Sequence, residues 1–107
     1  MDGFWILSVI TPQFTSGGVV LFSGGKLFGG DNGFCWTGSY STNGQTLKAR
    51  VRVHNFDPKI KSVFGVDGDY ELHVSGQIQD KTITGTAVMA NQPQHSVGMQ
   101  LVRYSSL

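Results

Sequence analysis

Lys48, Arg50, Arg52 and His54 recur at every second position, and a line of positive charge at that spacing could read an acidic protein surface or a phosphorylated ligand. The solvated face of an antiparallel strand shows the same alternation. The other titratable residues form no reactive set. His54, His73 and His95 stand at separations that match no standard zinc spacing. His54 and His73 become neighbours if their strands pair, but Glu71 or a tyrosine hydroxyl could equally hold them. Cys35 lies among alternating strand residues, with no helix N-terminus or base beside it to activate the thiol. Asp31, Asp67 and Asp69 each adjoin a glycine, where aspartate serves turns by bonding its own backbone. Ser23-Gly24-Gly25-Lys26 and Gly29-Gly30-Asp31 lack the phosphate-loop and dinucleotide spacings and precede no helix that could bind an anion, so they read as turns. Acid, base and nucleophile are not assembled anywhere. The chain reads as non-catalytic, with no metal or cofactor implied.

The elements that must position these residues are strands. Side chains on a strand leave on alternate faces, so Leu47, Ala49, Val51 and Val53 share a dry face and the basic residues a wet one. Asn43-Gly44, just upstream, predicts a tight hairpin to a preceding strand that carries Phe34, Trp36 and Tyr40. Asn43 and Gly44, with Lys48, Arg50, Arg52 and His54, form the candidate partner-binding set. A first strand is expected over Gly3 to Thr11, closed by Pro12. Trp5, Leu7 and Val9 lie on one face and Phe4, Ile6 and Ile10 on the other, which predicts cover on both sides. After a polar stretch from Gln13 to Ser16, strands follow over Gly17 to Phe22 and at Leu27-Phe28, with a glycine-rich reversal from Gly29 to Gly33. Between Asn55 and Gly68, Asp57-Pro58 starts a turn, and Ile60, Val63 and Phe64 are spaced for a single helical turn. Tyr70, Leu72, Val74 and Ile78 alternate with Glu71, His73, Ser75 and Gln77. Asp80-Lys81 then turns the chain into a strand with Ile83, Gly85, Ala87 and Met89. A polar link from Asn91 to Ser96 leads to a last strand from Val97 to Tyr104.

About eight strands joined by tight turns suit an up-and-down barrel or a two-sheet sandwich. Simple hairpin connectivity favours the barrel, which also removes exposed strand edges. At 107 residues the chain fits one domain, residues 1–107. Charged residues are 14% of the chain and hydrophobic ones 39%, so it has apolar surface to bury and little charge to resist collapse. A net charge of +1 supplies no field for nucleic acid or anionic membrane, although Tyr40, Phe56 and Tyr70 near basic residues could stack on bases. One cysteine allows no internal disulfide, and neither a signal peptide nor a long apolar run is visible, which places the protein in the cytoplasm.

Several segments together resemble one family: Asp2-Gly3-Phe4-Trp5, Gly18-Val19-Val20-Leu21-Phe22, Gly29-Gly30-Asp31 followed by Phe34 and Trp36, and Ser62-Val63-Phe64-Gly65 before Asp69-Tyr70-Glu71-Leu72. Their order and spacing are similar to the GrlR family, small bacterial negative regulators of type III secretion. The resemblance implies an all-β, lipocalin-like, eight-stranded antiparallel barrel with at most one short helix. It also implies no enzymatic activity and a cytoplasmic homodimer that binds a transcriptional activator. In the best-known relatives the hairpin corresponding to Ser41–Gln45 is strongly acidic and binds the activator. Here it carries no charge, so the partner surface is elsewhere or different. The alternative is an intracellular carrier, in which Trp5, Phe34, Trp36, Tyr40, Val51, Val53, Tyr70 and Leu72 line an open barrel around a small apolar ligand.

Overall fold

In the computed structural model, which describes residues 1–12 and 15–107, eight antiparallel strands close into a barrel in the order β1 to β8. The strands are β1 (Gly3–Ile10), β2 (Thr15–Ser23), β3 (Lys26–Gly30), β4 (Phe34–Asn43), β5 (Thr46–Asn55), β6 (Tyr70–Gln79), β7 (Thr82–Met89) and β8 (Gln92–Ser105). Each strand pairs with its neighbours in sequence, and β1 pairs with β8 along Phe4 to Ile10, which closes the wall.

The alternation expected of β5 is the clearest in the molecule. Leu47, Ala49, Val51 and Val53 are buried while Lys48, Arg50, Arg52 and His54 are exposed. Inward residues from the other strands, among them Trp5, Phe22, Leu27, Phe34, Val74, Ile83 and Leu101, complete the core. The core is asymmetric along the barrel. At the end that holds the β2–β3, β4–β5 and β6–β7 turns, Trp5 is 1% exposed and its indole N–H donates to the Met1 carbonyl at 3.2 Å. Its ring meets Phe22 edge-on at 6.0 Å, and Phe22 in turn meets Tyr40 edge-on at 5.0 Å. The Tyr40 hydroxyl donates to Asp2 at 2.6 Å, and the same carboxylate accepts the Gly24 amide. These two bonds hold the Asp2 carboxyl below the usual range, while burial, followed by the bond to Asp2, pushes the Tyr40 phenol up. That end is sealed.

The structure corrects several sequence expectations. β1 is not covered on both sides. Trp5, Leu7 and Val9 face in, but Ile6 and Ile10 are 45% and 61% exposed. The β4–β5 hairpin turns at Gly44-Gln45, one residue later than Asn43-Gly44. Asn43 pairs with Thr46, and Gly44 takes the left-handed φ of 61° at the first central position, where glycine suits a two-residue hairpin turn. Gly29 and Gly30 belong to β3, paired with Val20 and Val19, and the indole of Trp36 lies against Gly18 and Gly29, where a Cβ would collide with the ring and with a facing carbonyl, that of Gly30 or of Val19. No helix forms between Asn55 and Gly68. Separate turns close by Ile60 N–H to Asp57 O and Gly65 N–H to Ser62 O, both at 3.0 Å. β8 begins at Gln92 and not Val97. Met89 pairs with Gln92 and Val88 with Ser96, so Pro93 sits in an irregularity where its missing N–H breaks no ladder. The expected polar stretch from Gln13 to Ser16 lies partly outside the described residues, and β2 already starts at Thr15.

Ile83 is fully buried, so Ile83→Ala should cost about 2–5 kcal/mol in chemical denaturation. The same truncation at the outward-facing Thr84 should cost under about 0.5 kcal/mol.

Candidate functional site: the barrel cavity and the outer wall

Opposite the sealed end, the barrel holds a cavity of ≈ 200 Å³. Its deep wall is aliphatic and aromatic: Leu7, Val20, Phe22, Leu27, Leu47, Ala49, Val51, Val74, Ala87 and Leu101. Among the described residues, polar side chains lie only around the mouth, at Ser16, Asp31, Asn32, Lys61, Ser62 and Tyr70. Most are already engaged. One Asp31 oxygen accepts the amides of Gly33 and Phe34 at 2.9 Å, and Lys61 reaches Asp67 at 2.6 Å. Burial raises the Tyr70 hydroxyl above its ordinary value, an effect partly offset by a hydrogen bond with Ser62. Phe64 packs edge-on against Tyr70 at 5.6 Å, and Tyr70 lies tilted against Phe34 at 6.5 Å, so an aromatic cluster rims the opening.

The segment between β5 and β6 forms one side of that mouth, with Ile60 to Phe64 on the cavity. Asn55 holds it in place. Its side-chain amide donates toward Gly33 O, Asp57 O and Ile60 O at 3.1–3.2 Å, so two hydrogens serve three carbonyls. Gly33 O also accepts the amides of Phe56 and Asp57. Ile60 packs so close to Gly33 that a Cβ there would meet it at 2.8 Å. Ser62, 7% exposed, ties the far part of the segment by accepting the Phe64 and Val66 amides and donating to Val66 O. Asp69 anchors the return to β6. It accepts the Asn55 amide at 3.0 Å and meets His54 Nδ1 at 3.0 Å, and these contacts, the amide first, hold its carboxyl below the usual range.

The residues expected to line an interior divide between the two ends. Phe34, Trp36, Val51, Val53, Tyr70 and Leu72 surround the cavity, whereas Trp5 and Tyr40 stand at the sealed end. Asn55 and Ser62 went unrecognised, because an asparagine at the end of a strand and a serine in a loop carry no signal beyond turn chemistry.

The basic line does lie on the outer face, but three of its members are engaged by β6 and the residue before it. Lys48 donates to Ser75 Oγ at 3.0 Å, Arg50 pairs with Glu71 at 3.0 Å, and His54 meets Asp69. Arg52 makes no side-chain hydrogen bond or ion pair among the described residues, although its charge helps hold the Asp69 carboxyl down, and Lys48 meets only the neutral Ser75 hydroxyl. Asn43 and Gly44 lie at the far, sealed end of the same hairpin. His54 and His73 do not come together. His73 pairs in register with Arg50 and lies 3.7 Å from Glu71. Among the described residues no group of three or more His, Cys, Asp or Glu side chains converges on a metal-sized site.

A second feature of the outer wall follows from strand register. Phe4 and Ile6 on β1 stand beside Leu21 and Val19 on β2, Leu21 beside Phe28 on β3, and Ile6 beside Val102 on β8. Tyr104 closes the row edge-on against Phe4 at 6.3 Å and is 72% exposed. β8, β1, β2 and β3 thus present a continuous apolar surface, and β5 and β6, across the barrel, present the paired charges. Among the described residues no helix is long and apolar enough to cross a membrane. No protein-family model and no curated protein matches the chain.

Two measurements check this account. Asn55→Ala leaves buried carbonyls short of donors and should cost about 1–3 kcal/mol, with faster hydrogen exchange at the Phe56 and Asp57 amides. Because the folded pKa of Asp69 is depressed, its contribution is complete above the ordinary carboxyl value of 3.8 and is lost as pH falls from there through the lower folded value. Asp69→Asn should therefore flatten the acid limb of a stability-versus-pH curve.

Proposed function

We propose that this chain is a non-catalytic regulatory binding protein that works as a homodimer in the cytoplasm. In this reading it restrains type III secretion genes by holding their transcriptional activator, as the GrlR-like order of its glycines and aromatics implies. The observation that carries the binding reading is the apolar outer face of β8, β1, β2 and β3, where Ile6, Ile10, Val19, Phe28, Val102 and Tyr104 are all exposed. The barrel does not need these side chains outside for its own core, and a contiguous exposed apolar patch marks an interaction surface. A second copy of the chain is the occupant that the family resemblance supplies. With that face covered, and with the Ser41–Gln45 hairpin uncharged, the activator falls to the flank of β5 and β6, where Lys48 and Arg52 are the cations without a salt bridge. A second reading, carriage of a small apolar ligand, is favoured by the cavity. The two readings are compatible, because alternate side chains of the same strands build the outer face and the inner one.

Light scattering on a size-exclusion column should give a dimer. Ile6→Glu combined with Val102→Glu should give a monomer that keeps the far-ultraviolet signature of a β protein; a monomeric wild type removes the homodimer. In a bacterial reporter strain carrying a type III secretion promoter and its activator, the wild-type chain should lower promoter output, and Arg52→Glu should restore it. Output unaffected by the wild-type chain overturns the regulatory reading.

A further inference from the structure

The cavity wall specifies more than "apolar". Below the rim no side chain offers a charge or a hydrogen bond, and at the rim the two charged groups are committed, Asp31 to backbone amides and Lys61 to Asp67. A ligand carboxylate drawn inside would lose water and gain no partner, which strongly disfavours it. The volume sets size. An apolar cavity of about 150 Å³ takes benzene, so ≈ 200 Å³ suits one ring with a substituent or two small fused rings. The rim adds shape preference, because Phe34, Phe64 and Tyr70 present ring edges and faces at the opening, and aromatic pairs favour such tilted and edge-on contacts. Ser62 is committed to its own loop, so the Tyr70 hydroxyl at the mouth is the group left to meet a single polar substituent directed outward.

We propose that the barrel cavity is a binding site for a small uncharged aromatic molecule, one ring or two fused rings with at most one hydrogen-bonding group, seated against the Ala49–Val74–Ala87 stretch of the wall and covered by the Ile60–Phe64 segment. The inference rests on the carrier reading and sharpens it to a ligand class. Ala49 and Ala87 are central because they are the smallest side chains on the wall, and their short methyls leave part of the space open. The covering segment is anchored through Asn55 and Ser62 and has no strand partner of its own, so it is the part of the wall that can part without breaking a ladder.

The test uses indole as the neutral probe and octanoate as the charged one. Indole should raise the melting temperature of the wild-type protein in a concentration-dependent way, favouring the folded state about 100-fold when its concentration is 100 times Kd. Octanoate at neutral pH should not. Ala49→Leu and Ala87→Leu fill the cavity and should each abolish the indole effect. Should either variant fail to fold, methyl NMR of the wild-type protein still decides, because indole must shift the Ala49, Ala87 and Leu101 methyl resonances. An indole effect that survives both substitutions, or that leaves those methyls unmoved, overturns the site. Stabilisation by octanoate equal to that by indole overturns the uncharged class while the carrier reading stands. Stabilisation by neither probe overturns both.

Discussion

The pairing of β1 with β8 is the constraint on which the rest of this molecule depends. Without it the first and last strands would be sheet edges with unpaired amides and carbonyls, and a weakly charged wall would be an invitation to edge-to-edge association. With it every strand has two neighbours and the wall has an inside and an outside. The alternation of side chains then becomes a statement about location. One set of residues makes a core with a cavity, and the other set meets solvent or a partner. The sealed end follows from the same closure. Trp5 comes from β1, which forms the closing seam, and Phe22 from β2 beside it, and their edge-on contact fills the barrel where the short turns draw it shut.

How much of this was legible in the chain depends on whether the information is local. β5 could be read residue by residue, because Leu47 to His54 alternate without exception and period two is a strand property. The Asp80-Lys81 turn was legible for the same reason. The Asn43-Gly44 turn was placed one residue early, since a glycine that needs a positive φ can be either central residue, and only the pairing of Asn43 with Thr46 decides between them. The polar run from Asn91 to Ser96 reads as a link, whereas β8 runs through it, past Pro93, by an irregularity that depends on Met89 and Val88 of the neighbouring strand. The cavity residues on β4, β5 and β6 were recognisable from alternation. Which of them reach the cavity and which seal the end depends on position along the barrel axis, and that is a property of all eight strands together. The Asn55 anchor was not legible, because its three carbonyl partners come from two separate loops.

The basic line shows why charge spacing is a weaker guide than apolar spacing. Lys48, Arg50, Arg52 and His54 face out as the alternation requires, but their availability is set by a strand that begins sixteen residues after His54. Glu71, Ser75 and Asp69 engage three of the four, so the face is a cross-strand ladder more than a positive stripe. Such exposed pairs contribute about 0–1 kcal/mol each. Their effect is to order side chains and reduce net potential, and the positive charge that remains without a salt bridge is at Lys48 and Arg52.

β1 raises the sharpest question of specification. Its apolar residues lie on both faces, so a slip of one residue would exchange Trp5, Leu7 and Val9 for Phe4, Ile6 and Ser8 or for Ile6, Ser8 and Ile10, sets that are still largely apolar, and the strand's own pattern discriminates only weakly. The neighbours supply what the pattern lacks. Ser8 and Leu7 face Gly17 and Gly18, and Gly17 has the Leu7 carbonyl so close that a Cβ there could not fit. Trp5 can be buried only where Phe22 and the Met1 carbonyl receive it, and the register shift between Phe4 and Trp5 against β8 marks where the strand is adjusted to do so. The register is therefore held by one large ring and two absent side chains. An apolar outer face on β1 can persist because the alternation of apolar and polar residues is not what holds this strand in place.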